Sequence, residues 1–553
     1  MTPQHQQQTA FRSGVAFGAI VGIAIGIIVG LCCGIAYSQD DVVPTPRAAV
    51  GWAAEHLAQQ PEGTRSRWRY IVADPWVDND WIAAVTVGLN TAINREPIPF
   101  RPDVLANGWM VAVDFSRLCS DEHERSTVLA VWDGLAVREP YFHVPQVNTG
   151  LKVPVVASHL PVDHVQVVVA WSEQENRHGV VPIYRAGFAL SQMLAAEEGV
   201  YYQLRGTPSG GGREGCPTCQ GRGGLKLTSS GRTIPCPDCQ GGGTDKDRWL
   251  AKWGLSTAKS AAFRSDLRKG VLRSNVTGFP RGAVALRGFV GSAWLTEDVQ
   301  GNDPTKHPIH SLLPGADGKL PADAKEDIAE MPNGYHDFLL TDGTGRRQNL
   351  AILNGQAVTD TTVPSPHPGL LQPAISCIRC HWTKDFSIGD EKFAMSGLHP
   401  VANDVATLLA PEGGVNILAF RDAELSRLAG LYAGHHLFDQ SLQLGRARLS
   451  IAVQQSTGLS VQAAGLAVMS LFNRYRYANI DAATACLELG VRVPAESDGR
   501  TELAGMIGGA ADNPDATLLA LLRGLSVRRE DWERVYSDAA TRSLARNQDG
   551  GEQ

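Results

Sequence analysis

The chemistry that this 553-residue chain could do is carried by the spacing of its cysteines and histidines. Ser376-Cys377-Ile378-Arg379-Cys380-His381 is a CxxCH. Two thiols separated by two residues can add to the two vinyl groups of one haem. The histidine that follows then sets its imidazole on the iron as proximal ligand. The motif predicts one covalent haem c on Cys377 and Cys380, with His381 ligating the iron. A zinc or redox CxxC is the competing use of the same residues. For the sixth ligand, Met395 and His399 follow the motif and Met331, His336 and His367 precede it. Met395 is the residue expected there. A methionine would raise the potential, a second histidine would lower it, and an open position would admit small ligands.

Four more cysteines form two CxxC pairs: Cys216 and Cys219 in CPTCQGRG, then Cys236 and Cys239 in CPDCQGGG. Each CxxC turn aims two thiolates at one point, and two such turns make the tetrahedron that Zn²⁺ accepts. The residues between the pairs read as a hairpin. The glycines after each pair let the backbone turn back and point N–H groups at sulfur. The expectation is one structural Zn²⁺, with a pair of disulfides as the alternative for an exported chain. The segment resembles the CxxCxGxG units of the cysteine-rich domain of DnaJ-type chaperones. Two units stand where that domain has four, and no HPD motif lies near the N-terminus. The resemblance implies a metal site and no chaperone activity. Cys119 and Cys486 stand alone and read as buried apolar residues.

These motifs need a compartment. No charged residue occurs between Arg12 and Asp40, a run long enough to span a bilayer as a helix. Gly14, Gly18, Gly22, Gly26, Gly30 and Gly34 recur at every fourth position, giving one helix face smooth enough for close packing with itself or another membrane helix. Residues 1–12 are expected in the cytoplasm, 13–38 as a membrane anchor and 39–47 as a linker. A cleaved signal peptide ending near Ala36-Tyr37-Ser38 is the alternative. Either reading exports the remainder, which puts the CxxCH in the bacterial periplasm, where c-type haem is attached.

Composition bounds the rest. Apolar residues are 43% and charged residues 19%, a globular balance. Net charge is -7, which excludes a globally basic nucleic-acid binder, and no specific nucleic acid is expected. Residues 205–287 nevertheless carry a local excess of ten positive charges, either a solvated face or a docking surface for an acidic partner. No Ser-His-Asp order, Walker loop, HExxH or dinucleotide glycine fingerprint is present.

The expected fold is α+β and multi-domain. Residues 48–205 read as mixed α/β, with helices at 48–59, 81–94, 123–136 and 184–198 and strands at 108–115 and 165–171. Residues 206–246 form the zinc knuckle, 247–330 a basic helix and strand region, 331–400 the haem-attachment region and 401–548 a helical domain. In the last, helices are expected at 425–437, 441–455, 461–475, 481–489 and 530–544, with Gly490 as a C-cap.

In successive stretches the chain resembles a group of uncharacterised exported bacterial proteins with a single c-type haem motif. The stretches are Ser66 to Asn94, Trp132 to Phe142, Val181 to Leu204, Asn333 to Cys380, Ala452 to Leu489 and Val527 to Val535. Together they cover most of residues 65–540. Two departures stand out: the cysteine knuckle looks like an insertion, and Gly187 interrupts an aspartate-containing pattern. The resemblance implies a haem protein with an unnamed redox partner. The leading expectation is a periplasm-facing, inner-membrane monohaem protein for electron transfer. The alternatives are a haem-free zinc-knuckle scaffold and an oxidoreductase with an open iron.

Overall fold

The computed structural model describes residues 46–77, 80–135, 166–172, 177–195, 199–207, 224–226, 233–235, 244–255, 267–271, 281–288, 290–298, 322–353, 356–359, 369–383, 436–491, 493–509 and 515–549. These residues belong to one compact unit, Pro44–Gln553. It is a mixed α/β structure with two five-stranded sheets. Among the described residues no helix is long and apolar enough to cross a membrane. The uncharged run after Arg12 lies outside them.

The first sheet is built from β1 (Trp68–Val72), β2 (Asp103–Leu105), β3 (Met110–Asp114), β4 (Gln166–Ser172) and β5 (Arg177–Arg185), in the order β2-β3-β1-β5-β4. Only β1 and β5 run parallel; the other pairs are antiparallel. All five residues of β1 are buried, because both faces of the sheet are covered. Trp68, Tyr70 and Val72 meet Ala49, Ala53 and Leu57 of α1 (Pro46–Gln59). Ile71 turns to the opposite face and the main core. There lie α2 (Trp81–Ala92), which is buried almost all round, and α4 (Ala186–Leu194). Between them in the chain runs α3 (Glu122–Gly134), started by the Asp121 carboxylate accepting from the Glu124 N–H.

The helix expected at 184–198 begins two residues later, since Tyr184 and Arg185 complete β5. Parallel pairing with β1 holds them extended, where local propensity alone favoured helix. Gly187, the departure noted in the sequence, has a packing reason. A Cβ there would stand 2.8 Å from the Tyr475 ring. Its N–H donates to the buried Asp74 carboxylate at 2.6 Å.

After α5 (Val200–Leu204) come the short strands β6 (Gly224–Lys226) and β7 (Thr233–Pro235), an antiparallel hairpin between the two CxxC pairs, as the spacing predicted. The region expected to be a basic helix holds α6 (Asp245–Lys252) and then β8 (Arg268–Val271). Several of its cations are spent inside the fold. Lys246 pairs with Asp327 at 2.9 Å, Arg248 pairs with Asp245, and Arg281 pairs with Asp298 at 2.6 Å.

The second sheet is antiparallel and consists of β8, β9 (Arg281–Arg287), β10 (Ser292–Asp298), β11 (Ala324–Glu330) and β12 (His336–Asp342), in the order β12-β11-β10-β9-β8. The turn after β12 is closed by a bridge between Thr341 and Arg347. A two-residue ladder, β13 (Ile352–Leu353) with β14 (Gln356–Ala357), follows. One face of the sheet presents Ala283, Ala285 and Trp294 to Phe438 of α8 (His436–Thr457). The other face carries Asp337, which accepts from Tyr201 Oη at 2.9 Å and from the indoles of Trp249 and Trp253 at 3.0 Å each.

From residue 436 on the C-terminal part is helical, as expected: α9 (Val461–Tyr477), α10 (Ala482–Glu488), α11 (Arg500–Ile507), α12 (Ala516–Leu522) and α13 (Arg529–Asp549); most of the helix expected at 425–437 lies outside the described residues. The CxxCH forms α7 (Ile375–Trp382), which precedes them in the chain and packs on α9. Gly490 has φ +81 and follows α10 as its C-cap should. One apolar cluster runs from Ile71 to Ala540 and draws on both sheets, α7 and the helical tail.

Candidate functional site

The CxxCH occupies a helix of two turns. Its start is unusual. Ala374 has φ 62 and ψ -70, and the Ile375 N–H donates back to Pro373 O at 2.9 Å. That is a γ-turn of the rare, strained hand for a residue with a Cβ. The packing around it holds the strain, since Ala374 and Ile378 are fully buried. The first turn is further closed by the Gln372 N–H donating to Ser376 Oγ at 3.0 Å. At its other end Trp382 is fully buried, with its ring 5.9 Å from that of Tyr335.

Helical spacing puts Cys377, Cys380 and His381 at i, i+3 and i+4, which is one face. Cys377 is buried, whereas Cys380 and His381 are partly exposed. The face turns to β11. Cys377 Sγ donates to Glu326 Oε1 at 3.3 Å, and His381 Nε2 lies 4.0 Å from the same oxygen. Glu326 Oε2 in turn accepts from Arg281 at 3.3 Å, and Arg281 also forms a two-point pair with Asp298 at 2.6 and 2.9 Å. A chain of charges thus crosses three strands and ends at the CxxCH.

Burial opposes the charged form of Glu326, but Arg281 outweighs it, with a smaller contribution from His381, and the carboxyl is held below its usual range. Burial, with Glu326 as the next cause, pushes the Cys377 thiol well above its usual range. It is a protonated thiol at neutral pH. Residues of β11 alternate, so Glu326, Ile328 and Glu330 share one sheet face. Cross-strand register places His336 opposite Glu330 and Phe338 opposite Ile328 on that same face. His336 is buried between Trp294, at 5.6 Å between ring centres, and Phe338, at 6.3 Å. Burial, and secondarily the charge of His381, lowers its pKa to about 3, so the ring is neutral. Among the described residues its Nε2 has no hydrogen-bond partner.

The other residues singled out in the sequence fall as follows. Met395, His399 and His367 lie outside the described residues, as do Cys216, Cys219, Cys236 and Cys239. Met331 is described and sits in the apolar core. Cys119 and Cys486 are fully buried free thiols, as expected. Among the described residues no group of three or more His, Cys, Asp and Glu side chains is arranged to hold a metal ion. Glu326, Arg281 and Asp298 were not anticipated. Glu326 and Cys377 are 51 residues apart, and no spacing rule connects positions that meet only through sheet register.

Comparison with known proteins adds nothing to this geometry: no family model, no curated protein and no solved structure matches the chain.

Proposed function

We propose that this chain is a monohaem c-type electron-transfer protein, held in the bacterial inner membrane by residues 13–38 and facing the periplasm. The observation that carries the reading is the shared face of Cys377, Cys380 and His381 on α7, partly open to solvent at Cys380 and His381. Two further features of the chain fit the group. The γ-turn at Ala374 opens the helix that carries the first thiol. The ring nitrogen Nε2 of His336, which has no hydrogen-bond partner among the described residues, lies on the same face of the second sheet as Glu326.

When bound, the haem supplies a one-electron couple at iron. The chain's own residues would hold and tune it. Cys377 and Cys380 each give a thioether anchor, so a short helix can retain a large apolar ring. His381 supplies the proximal imidazole. Glu326, charged and paired with Arg281, places a negative charge beside that imidazole and so favours the oxidised, more positive state. Partial exposure of the motif face leaves an edge for a redox protein to approach. Cys216, Cys219, Cys236 and Cys239 would hold one Zn²⁺ at the two ends of the β6–β7 hairpin and order a segment that has little apolar content of its own.

The test is a pyridine haemochrome spectrum of the full chain purified from membranes of a host that attaches c-type haem, with metal analysis alongside. One covalent haem per chain is expected, and it should be lost in C377A/C380A. A chain that carries no covalent haem but retains zinc would overturn the electron-transfer reading in favour of a zinc-knuckle scaffold.

A further inference from the structure

We infer that α7 is a latch: seated in the folded, haem-free chain, it shuts Cys377 away and leaves only Cys380 of the pair within reach from solvent. The two cysteines stand one turn apart on one face, yet their exposure differs. Cys377 is 4% exposed, whereas Cys380 is partly open. Contacts along the helix hold it shut. Cys377 Sγ donates to Glu326 Oε1 at 3.3 Å, and Arg281 holds the other oxygen of that carboxylate at 3.3 Å, so the acceptor belongs to the sheet and not to α7. Ile375 and Ile378, 2% and 0% exposed, join the main apolar cluster. At the far end Trp382 packs on Tyr335, 5.9 Å between ring centres, and on Gly465 of α9, where a Cβ would stand 2.8 Å from Trp382 Cβ. A thiol enclosed in this way cannot meet a vinyl group of a ring as large as haem while α7 is seated.

The latch is short enough to open by itself. It has eight residues, and its entry is strained, with Ala374 at φ 62 and ψ -70. Such strain persists only while the surrounding packing enforces it, so it favours release once Ile378 and Trp382 leave their places. Short elements open against an intact core at less cost than global unfolding. Cys119, soon after β3, and Cys486, within α10, are fully buried elsewhere in the cluster and report on that core. Each thioether forms when an S–H adds across one vinyl double bond, sulfur to one carbon and hydrogen to the other, with nothing leaving. On the seated chain that addition is open to Cys380 alone. The two thioethers of the haem reading above therefore need α7 released. This consequence rests on that reading, whereas the unequal thiols do not.

The experiment is alkylation of the reduced, haem-free full chain with iodoacetamide, read by peptide mass spectrometry, in buffer and through a series of low urea concentrations. The apolar side chains that opening exposes keep the open form rare, so Cys377 should react at least about 100-fold more slowly than Cys380. In low urea Cys377 should become reactive while Cys119 and Cys486 stay protected. I378A loosens the seat without touching either sulfur, and should speed labelling of Cys377 by about 10-fold or more with Cys119 and Cys486 unchanged. Equal rates at Cys377 and Cys380 in buffer overturn the inference. So does a Cys377 that becomes reactive only together with Cys119 and Cys486, and this wild-type series decides the matter even if I378A fails to fold. Haem added to the reduced, folded chain should give a single thioether, at Cys380, or none; two thioethers without urea also overturn it. A chain that never carries covalent haem in a competent host overturns the haem reading and leaves the thiol result standing.

Discussion

Replacing Glu488 by Gln should cost about 3–5 kcal/mol, the usual penalty for breaking a buried ion pair and leaving its cations unmatched. Glu488 is fully buried at the end of α10. It accepts from the indoles of Trp76 at 3.1 Å and Trp532 at 2.8 Å, and pairs with Arg529 at 2.9 Å and Arg185 at 3.4 Å. These partners come from the first sheet, the loop after β1 and the last helix, so one carboxylate ties the two ends of the unit together. Gln fills the same space and can still accept from an indole. It cannot counter two guanidinium groups in the interior. A second route gives a similar size. The carboxyl is held at about 2 against an ordinary 4.5, with the arginines overcoming the cost of burial. At about 1.4 kcal/mol per unit, that gap is about 3 kcal/mol. The assay is equilibrium urea unfolding of the full chain in mild detergent, followed by tryptophan fluorescence, to which Trp76 and Trp532 contribute. An E488Q protein within about 0.5 kcal/mol of wild type, the range of an ordinary surface change, would refute the counter-ion argument.

The same cluster predicts a stability maximum on the acid side of neutrality. Burial raises Asp74 to about 6 and Glu533 to about 7, so each is costly to keep charged at neutral pH and is relieved as pH falls through those values. Glu488 acts the other way: its contribution is present above 4.5 and is lost as pH falls toward 2. Melting temperature should therefore rise from pH 7 to about pH 5 and fall below about pH 4, with D74N reducing the rise. A flat profile across pH 5 to 7 would contradict this. G465A tests the seating of the CxxCH helix. Its new Cβ would stand 2.8 Å from Trp382 Cβ and 3.2 Å from the Trp382 carbonyl carbon, and backbone cannot yield as a side chain can. The helix-propensity gain of about 1 kcal/mol is outweighed by an overpacking cost of about 1–3 kcal/mol. The expected result is a lower melting temperature and faster alkylation of Cys380 in the haem-free protein; unchanged values of both would show that α7 is not seated on α9.

The local part of the site was legible in the sequence because it is local. CxxCH is a statement about five consecutive residues, and the helix that presents three of them on one face follows from i, i+3, i+4 geometry. The hairpin between the CxxC pairs and most of the C-terminal helices were readable for the same reason: hydrophobic period and capping residues act over one or two turns. The helix expected from residue 184 was misplaced because a distant strand, β1, holds Tyr184 and Arg185 extended. Tertiary structure alone decided what faces the motif. Glu326, Arg281 and Asp298 arrive from three strands through cross-strand register. Register depends on which faces of the sheet are buried, a property of the whole core rather than of any segment. It also decided that the cations of α6 and β9 are largely spent inside the fold, since an ion pair needs a partner that only folding brings near.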